Sequence, residues 1–265
     1  MANKSSGPQG VVVAALVAAL VALVINGGFY LFARDGGVEQ AQPTNIEQTI
    51  RNYLVQNPEV LVEMQAVFER RQADVRQEAR QKAISENAAK LFRPDNALVA
   101  GNPDGDVTVV EFFDYNCGYC RRAFKDLVKL IENDKNVRVV LKEFPIFGEP
   151  SEAAARAAIA AEKQGKYFEM HSALLETSGR ASEEKAMEIA EELGLDTDQL
   201  KKDMASAEVD MVLKNTAALA EQMGLEGTPF YLVGDKAIPG APENLYELFV
   251  ENVSEIRKNG CTATC

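Results

Sequence analysis

Two cysteines separated by two residues, Cys117-Gly-Tyr-Cys120, are the side chains of this sequence best suited to chemistry. Placed at the start of a helix, such a pair closes a disulfide over a tight turn, and its first member lies where free backbone N–H groups and the helix dipole favour negative charge. Cys117 is therefore expected to have a depressed pKa and to attack, or be attacked, first. Cys120, one turn further in, is the natural resolving thiol that breaks a mixed disulfide. Gly118 and Tyr119 control access and hydrogen bonding to the thiolate, and Tyr119 brings no positive charge. The rival chemistry is half of a zinc site, which the second pair, Cys261 and Cys265, makes formally possible as a four-thiolate set. The single His171 adds little to such a site. The tail pair has three readings: a small disulfide, an electron relay to the main site, or an exposed pair without a role.

The elements that must position the first pair can be read around it. Val107–Phe113 is a run of β-branched and aromatic residues following the turn-forming Gly101-Asn-Pro-Asp-Gly105, so it predicts a strand delivering its carboxyl end to Cys117. A helix follows, then a second strand at Val137–Lys142, which together make a right-handed parallel βαβ unit. A helical block spans Glu152 to Gln222 as Ala153–Lys163, Lys166–Glu176, Ser182–Leu193 and Asp198–Met223. Strand character returns at Thr228–Val233, turns at Gly234-Asp235 and continues through Ala237-Ile238, and Pro242–Lys258 predicts a last helix. This order is that of an α/β thioredoxin-like fold with a helical insertion. The expected boundaries are 1–34 for a membrane anchor or signal segment, 35–92 for a linker and helical stalk, 93–258 for the thioredoxin-like domain with its insertion at about 150–223, and 259–265 for the cysteine tail.

The amino terminus bears on compartment. Lys4 and Arg34 bracket a stretch free of charge, apolar through 11–25 and again through 29–33. As a helix, residues 11–33 would extend roughly 34 Å at about 1.5 Å per residue, enough for a bilayer core of ~30 Å. An uncleaved anchor with Lys4 inside is the favoured reading, and a cleavable signal peptide the rival. Either places the main domain outside the cytoplasm. The stalk has helices over Asn45–Gln56 and from Pro58 to about Leu91, interrupted at Asn57-Pro58. Ile46, Ile50, Leu54, Leu61, Met64, Phe68 and Val75 form only a narrow apolar stripe. It fits a solvated spacer or an oligomerisation stalk equally well. The net charge of −12 excludes a general phosphate-binding surface, so nucleic acid is not an expected partner.

The run Glu111-Phe-Phe-Asp-Tyr-Asn-Cys-Gly-Tyr-Cys-Arg-Arg122, followed far downstream by Gly227-Thr-Pro-Phe230, resembles the DsbA family of exported thiol–disulfide oxidoreductases. It is most similar to the suppressor-of-copper-sensitivity C (ScsC-like) type, which has this Cys-Gly-Tyr-Cys setting and an N-terminal helical extension. The resemblance covers about Ile46 to Lys258. It implies that Pro229 is the family's cis-proline, packed against the pair, and that Thr228 offers its backbone to an extended substrate. It also implies that Glu111 is the buried acid that shuttles a proton to the resolving thiol. The plain alternative for Glu111 is an outward polar residue, but Val109, Val110, Phe112 and Phe113 around it favour burial.

Asp114 and Tyr115 are expected to shape the loop before the pair. Lys142 reads as a surface charge, or else as a partner of Glu111, and His171 as a structural residue of its helix. The activity implied is exchange of disulfides with cysteine-containing envelope proteins, as oxidase or as isomerase or reductase, supported by a membrane redox partner. No cofactor and no resident metal are called for. The competing function is capture of copper or zinc by the cysteine pair without turnover.

Overall fold

The computed structural model describes residues 45–95 and 97–261. The apolar segment 11–33 and the last residues of the tail lie outside them. Among the described residues no helix is long and apolar enough to cross a membrane. The chain divides into two compact units between Val67 and Phe68, each taken by itself.

In the first unit, helix α1 (Asn45–Gln56) ends where the backbone N–H and side-chain amide of Asn57 both donate to the Tyr53 carbonyl, at 2.9 and 2.8 Å. Pro58 then opens helix α2 (Glu59–Glu86), at a position where the missing N–H goes unmissed. No residue of α1 is buried, and Ile46 is 71% exposed. Leu61, Val62 and Met64 are exposed as well.

In the second unit, α2 continues to Glu86 and a short helix α3 (Ala88–Phe92) follows. The sequence predicts one helix to about Leu91, but Asn87 interrupts it. The Asn87 amide donates back to the Ala83 carbonyl at 3.0 Å, a local competition with the helix ladder to which Asn is prone.

Five strands, β1 (Leu98–Gly101), β2 (Val107–Phe113), β3 (Val137–Glu143), β4 (Phe230–Val233) and β5 (Lys236–Pro239), form one sheet in the order β1-β3-β2-β4-β5. Only β2 and β3 pair in parallel. Their connection is helix α4 (Gly118–Asn133), as the βαβ reading requires. β1 is absent from the sequence reading, because four residues at an antiparallel edge leave too little periodicity to detect.

The insertion comprises α5 (Glu149–Ala161), a 3-10 turn, α6 (Tyr167–Glu176), α7 (Glu183–Glu192), α8 (Thr197–Met204) and α9 (Ala207–Gln222). The single helix expected over Asp198–Met223 is two. The Ser206 hydroxyl accepts from the Val209 N–H and starts α9 afresh. Helix α10 (Leu245–Asn259) closes the chain.

All seven residues of β2 and all seven of β3 are buried, so the sheet has a core on each face. One face carries Val109, Phe113, Val139 and Leu141 against α4 and the insertion. The other carries Val110, Phe112, Val140 and Leu232 against Ile84, Leu91 and Phe92 of α2 and α3. Strand alternation sends Lys142 to this second face, opposite to Glu111. The expectation of a surface charge or a Glu111 partner for Lys142 is therefore corrected: it is buried and donates to the Lys90 carbonyl at 2.8 Å. Burial lowers its pKa to about 8.

Candidate active site

β2 ends at Phe113, and the next four residues form a tight loop whose geometry is set by one carboxylate. Asp114 accepts from the N–H of Asn116 (2.7 Å) and the Ser151 hydroxyl (2.8 Å) through Oδ1. Through Oδ2 it accepts from the N–H groups of Ile146 (2.7 Å) and Phe147 (3.0 Å). Its own carbonyl accepts from the Cys117 N–H at 3.1 Å. Asn116 in turn pairs with both backbone groups of Ala181 at 2.9 Å, fixing the loop to the insertion. Asp114 thus shapes the loop as the sequence reading expects.

Cys117 is the N-cap of α4, whose first turn contains no acidic residue. Both Cys117 and Cys120 are free thiols, at 2% and 0% exposure, whereas Tyr119 between them is 59% exposed. The two sulfurs are opposed electrostatically. Cys117 is lowered to about 5, chiefly by a hydrogen bond from the Cys120 thiol, against the opposing cost of burial. The Thr228 hydroxyl, otherwise buried without a partner, and the N–H groups of Cys120 and Tyr119 lower it further. Cys120 is raised, first by burial, then by its bond to Cys117 and by the charge of Glu111. One thiol is a ready nucleophile at neutral pH and the other holds its proton until something removes it.

The distant Thr-Pro pair is at this site. The Thr228–Pro229 peptide is cis, and the Cys117 thiol donates to the Thr228 carbonyl at 3.2 Å. Glu111 is 1% exposed on the Cys120 side of the sheet, accepting from the Tyr231 hydroxyl at 2.9 Å, while its Oε2 has no partner. Burial pushes it up to about 8, the Tyr231 bond opposes this, and the Cys117 charge adds to it. A group there takes or holds a proton near neutral pH, and the reacting thiols couple to it.

A second buried acid went unnoticed in the sequence. Glu143 Oε1 accepts from the hydroxyls of Tyr115 (2.7 Å) and Tyr167 (2.9 Å). The Tyr115 hydroxyl also lies 3.1 Å from His171 Nδ1. Burial holds Glu143 well above the carboxylate range and His171 down at about 3. His171 is thus a neutral structural residue packed among Phe113, Phe124 and Phe168. The signal for Glu143 was its place next to Lys142: alternation puts it on the Glu111 face. Arg121 was missed also; it donates to the carbonyls of Tyr115 (2.7 Å), Thr177 (2.8 Å) and Gly179 (2.8 Å).

Among the described residues no group of three or more His, Cys, Asp or Glu side chains is placed to hold a metal ion. Cys261 is disulfide-bonded, and a disulfide sulfur is no thiolate ligand, which removes the four-thiolate arrangement.

Residues 108–245, half of the chain, match the model of the DSBA-like thioredoxin domain. The chain belongs to the DsbA family. Residues 42–74 match a second model, the copper resistance protein ScsC N-terminal domain, so this DsbA-family member is of the ScsC-like kind. A thioredoxin-like oxidoreductase from Silicibacter pomeroyi is 49% identical in sequence, with a TM-score of 0.63, over 65% of this chain and 98% of that one. Proteus mirabilis ScsC in a transitional conformation is 28% identical with a TM-score of 0.60, over 82% and 98% of the two chains. Among curated relatives, the Na(+)/H(+) antiporter NhaA 1 of Salinispora arenicola is 31% identical over 150 residues. This chain spans only 23% of that protein's length and 56% of its own. The fold and the family support a redox function for the DsbA-like domain in general terms.

Proposed function

We propose that this protein is an envelope thiol–disulfide oxidoreductase acting on cysteine-containing proteins through a mixed disulfide at Cys117. The observation that carries the reading is the opposition between the acidic thiol of Cys117, at the N-cap position of α4 beside the Thr228 carbonyl, and a buried Cys120 whose proton is retained. In the reductive direction the Cys117 thiolate attacks one sulfur of a substrate disulfide, forming the mixed disulfide and expelling the other substrate sulfur as thiolate. Glu111, as carboxylate, accepts the Cys120 proton. The Cys120 thiolate then attacks Cys117 Sγ, releasing the substrate's second thiolate and leaving the Cys117–Cys120 disulfide. Oxidation of a substrate dithiol runs the same steps backwards. Thr228 and Pro229 supply the edge along which an extended substrate lies, with Gly118 and Tyr119 opposite.

The test is redox titration of the Cys117/Cys120 couple, with insulin reduction and scrambled-substrate refolding assays. Tight metal binding with no turnover in either assay would sink the enzyme reading in favour of metal capture.

The isomerase or reductase direction is favoured by the exposed apolar side chains Ile46, Ile50, Leu61 and Met64, which fit self-association of a stalk that brings several sites together. Native mass with and without residues 44–91 decides this, and a monomer in both cases removes the stalk. The segment 11–33 supports export of the domain and, uncleaved, anchoring to the inner membrane with the site facing the periplasm and its redox partner.

A further inference from the structure

Outside the cysteine pair, the cis-proline loop has a second neighbour: helix α2. Arg76 and Arg80 are one helical turn apart, and with Thr228, Pro229, Phe230 and Gly240 they line a cavity of about 230 Å³. Arg80 is held there by its guanidinium, 5.2 Å from the centroid of the Phe230 ring, the residue directly after Pro229. Its Nε is buried without a hydrogen-bond partner. Arg76 is exposed and, among the described residues, donates to Gln72 in its own helix at 3.2 Å. Neither guanidinium forms an ion pair with a described carboxylate, whereas Lys236 in the adjoining cavity is paired with Glu255. The same two arginines and Pro239 also line that larger cavity, where Lys236, Asp235 and Glu255 join them and the arginines leave one cationic charge in excess.

We infer that Arg76 and Arg80 form a specificity wall for the substrate chain, selecting extended segments that carry acidic side chains close to the exchanging cysteine. The inference deepens the proposed function and rests on it. Two unpaired cations beside a peptide-binding edge are unusual in a chain of net charge −12, whose overall field favours the opposite choice. At physiological ionic strength the Debye length is about 8 Å, so the arginines lining the groove outweigh the distant carboxylates for a chain lying in it. Glu226 also lines the cavity, so the two arginines leave one cationic charge in excess over it. A bidentate guanidinium–carboxylate contact is the geometry that Arg supplies and Lys does not.

The experiment uses the reduced full chain and two peptides, each with a single cysteine as its mixed disulfide with thionitrobenzoate. Glutamates flank the cysteine in one peptide and lysines in the other. Attack on the peptide sulfur releases thionitrobenzoate, which is followed by absorbance. The expected second-order rate ratio is about 10-fold in favour of the glutamate peptide. High salt should compress it, R76K/R80K should weaken it, and R76E/R80E should invert it. Arg76→Glu alone, at an exposed position, should lower it even if the Arg80 change disturbs folding. Each ratio is internal to one protein, so loss of active material does not imitate the effect. Equal rates for the two peptides, or a ratio that R76E leaves unmoved, overturns the wall while leaving thiol exchange intact. Failure of both peptides to react faster than with glutathione overturns the exchange reading beneath it.

Discussion

Consecutive residues of β3, Lys142 and Glu143, are buried in opposite cores of the same sheet, and the two cores treat a buried charge differently. On the α3 side, Lys142 caps a carbonyl of a short helix and is otherwise surrounded by apolar packing. On the α4 side, Glu143 is held by the hydroxyls of Tyr115 and Tyr167 and Glu111 by that of Tyr231, and both carboxyls keep one oxygen without a partner. A polar group that completes a helix end is a structural fastening. Two acids that burial holds above their ordinary range, one of them coupled to the cysteine pair, can keep a proton near neutral pH. The difference is what the proposed thiol exchange would need of the face that carries Glu111.

Substitutions should rank accordingly. The largest effects fall on the pair: Cys117→Ser should abolish insulin reduction, whereas Cys120→Ser should accumulate the mixed disulfide, visible on a non-reducing gel. Next, Glu111→Gln should slow resolution of that mixed disulfide by about 10²-fold and remove its rise with pH through about 8. Stability gives an independent check on the same acid. Its raised pKa means that the folded chain keeps a proton the unfolded chain loses above 4.5. The contribution is therefore complete below that pH and declines as pH rises through about 8. The decline should be on the order of a few kcal/mol, and E111Q should flatten it in urea titrations.

Glu143→Leu removes the acceptor of two buried tyrosine hydroxyls, leaving Tyr115 only His171 Nδ1 and Tyr167 none among the described residues, and should cost roughly 2–4 kcal/mol, with Glu143→Gln costing less because it keeps an acceptor. Lys142→Met should be the mildest, within about 1 kcal/mol. Its depressed pKa has the opposite sign: the unfolded chain binds the extra proton, so wild-type stability should gain between about pH 8 and 10.5, and K142M should lose that gain. A Lys142→Met variant with a larger loss than Glu143→Leu would erase the distinction between the two faces.

How far the sequence reaches can be judged from these residues. Cys117 and Cys120 are legible from a short motif at a strand-to-helix junction and the burial of Glu111 from its apolar neighbours, whereas the place of Thr228-Pro229 beside the pair follows only from the resemblance to the DsbA family; the geometry brings all of them together. The order of β2, α4, β3 and the return strands was legible for the same reason. Lys142 was misread because a lone charge at the end of a strand looks solvent-facing until α3, more than fifty residues upstream, covers it. Glu143, Arg76 and Arg80 were invisible in function. Alternation places Glu143 on the Glu111 face, but the partners, Tyr167 for Glu143 and Phe230 for Arg80, lie at sequence separations that no periodicity encodes. The split between α8 and α9 shows the smaller limit, since one capping serine redirected a helix that the pattern alone would have continued.

Arg121, immediately after Cys120, reaches from the first turns of α4 to the Tyr115 carbonyl on one side and to those of Thr177 and Gly179 in the insertion on the other. In mechanical language this is a rivet. The cysteine turn and the helical cap behave as one plate, and the cap cannot lift as an independent flap without breaking the bonds of Arg121 to Thr177 and Gly179 and those of Asn116 to Ala181. Any give that a large protein substrate demands must then come from the side that the rivet leaves unfastened, where the Thr228-Pro229 loop faces the turn.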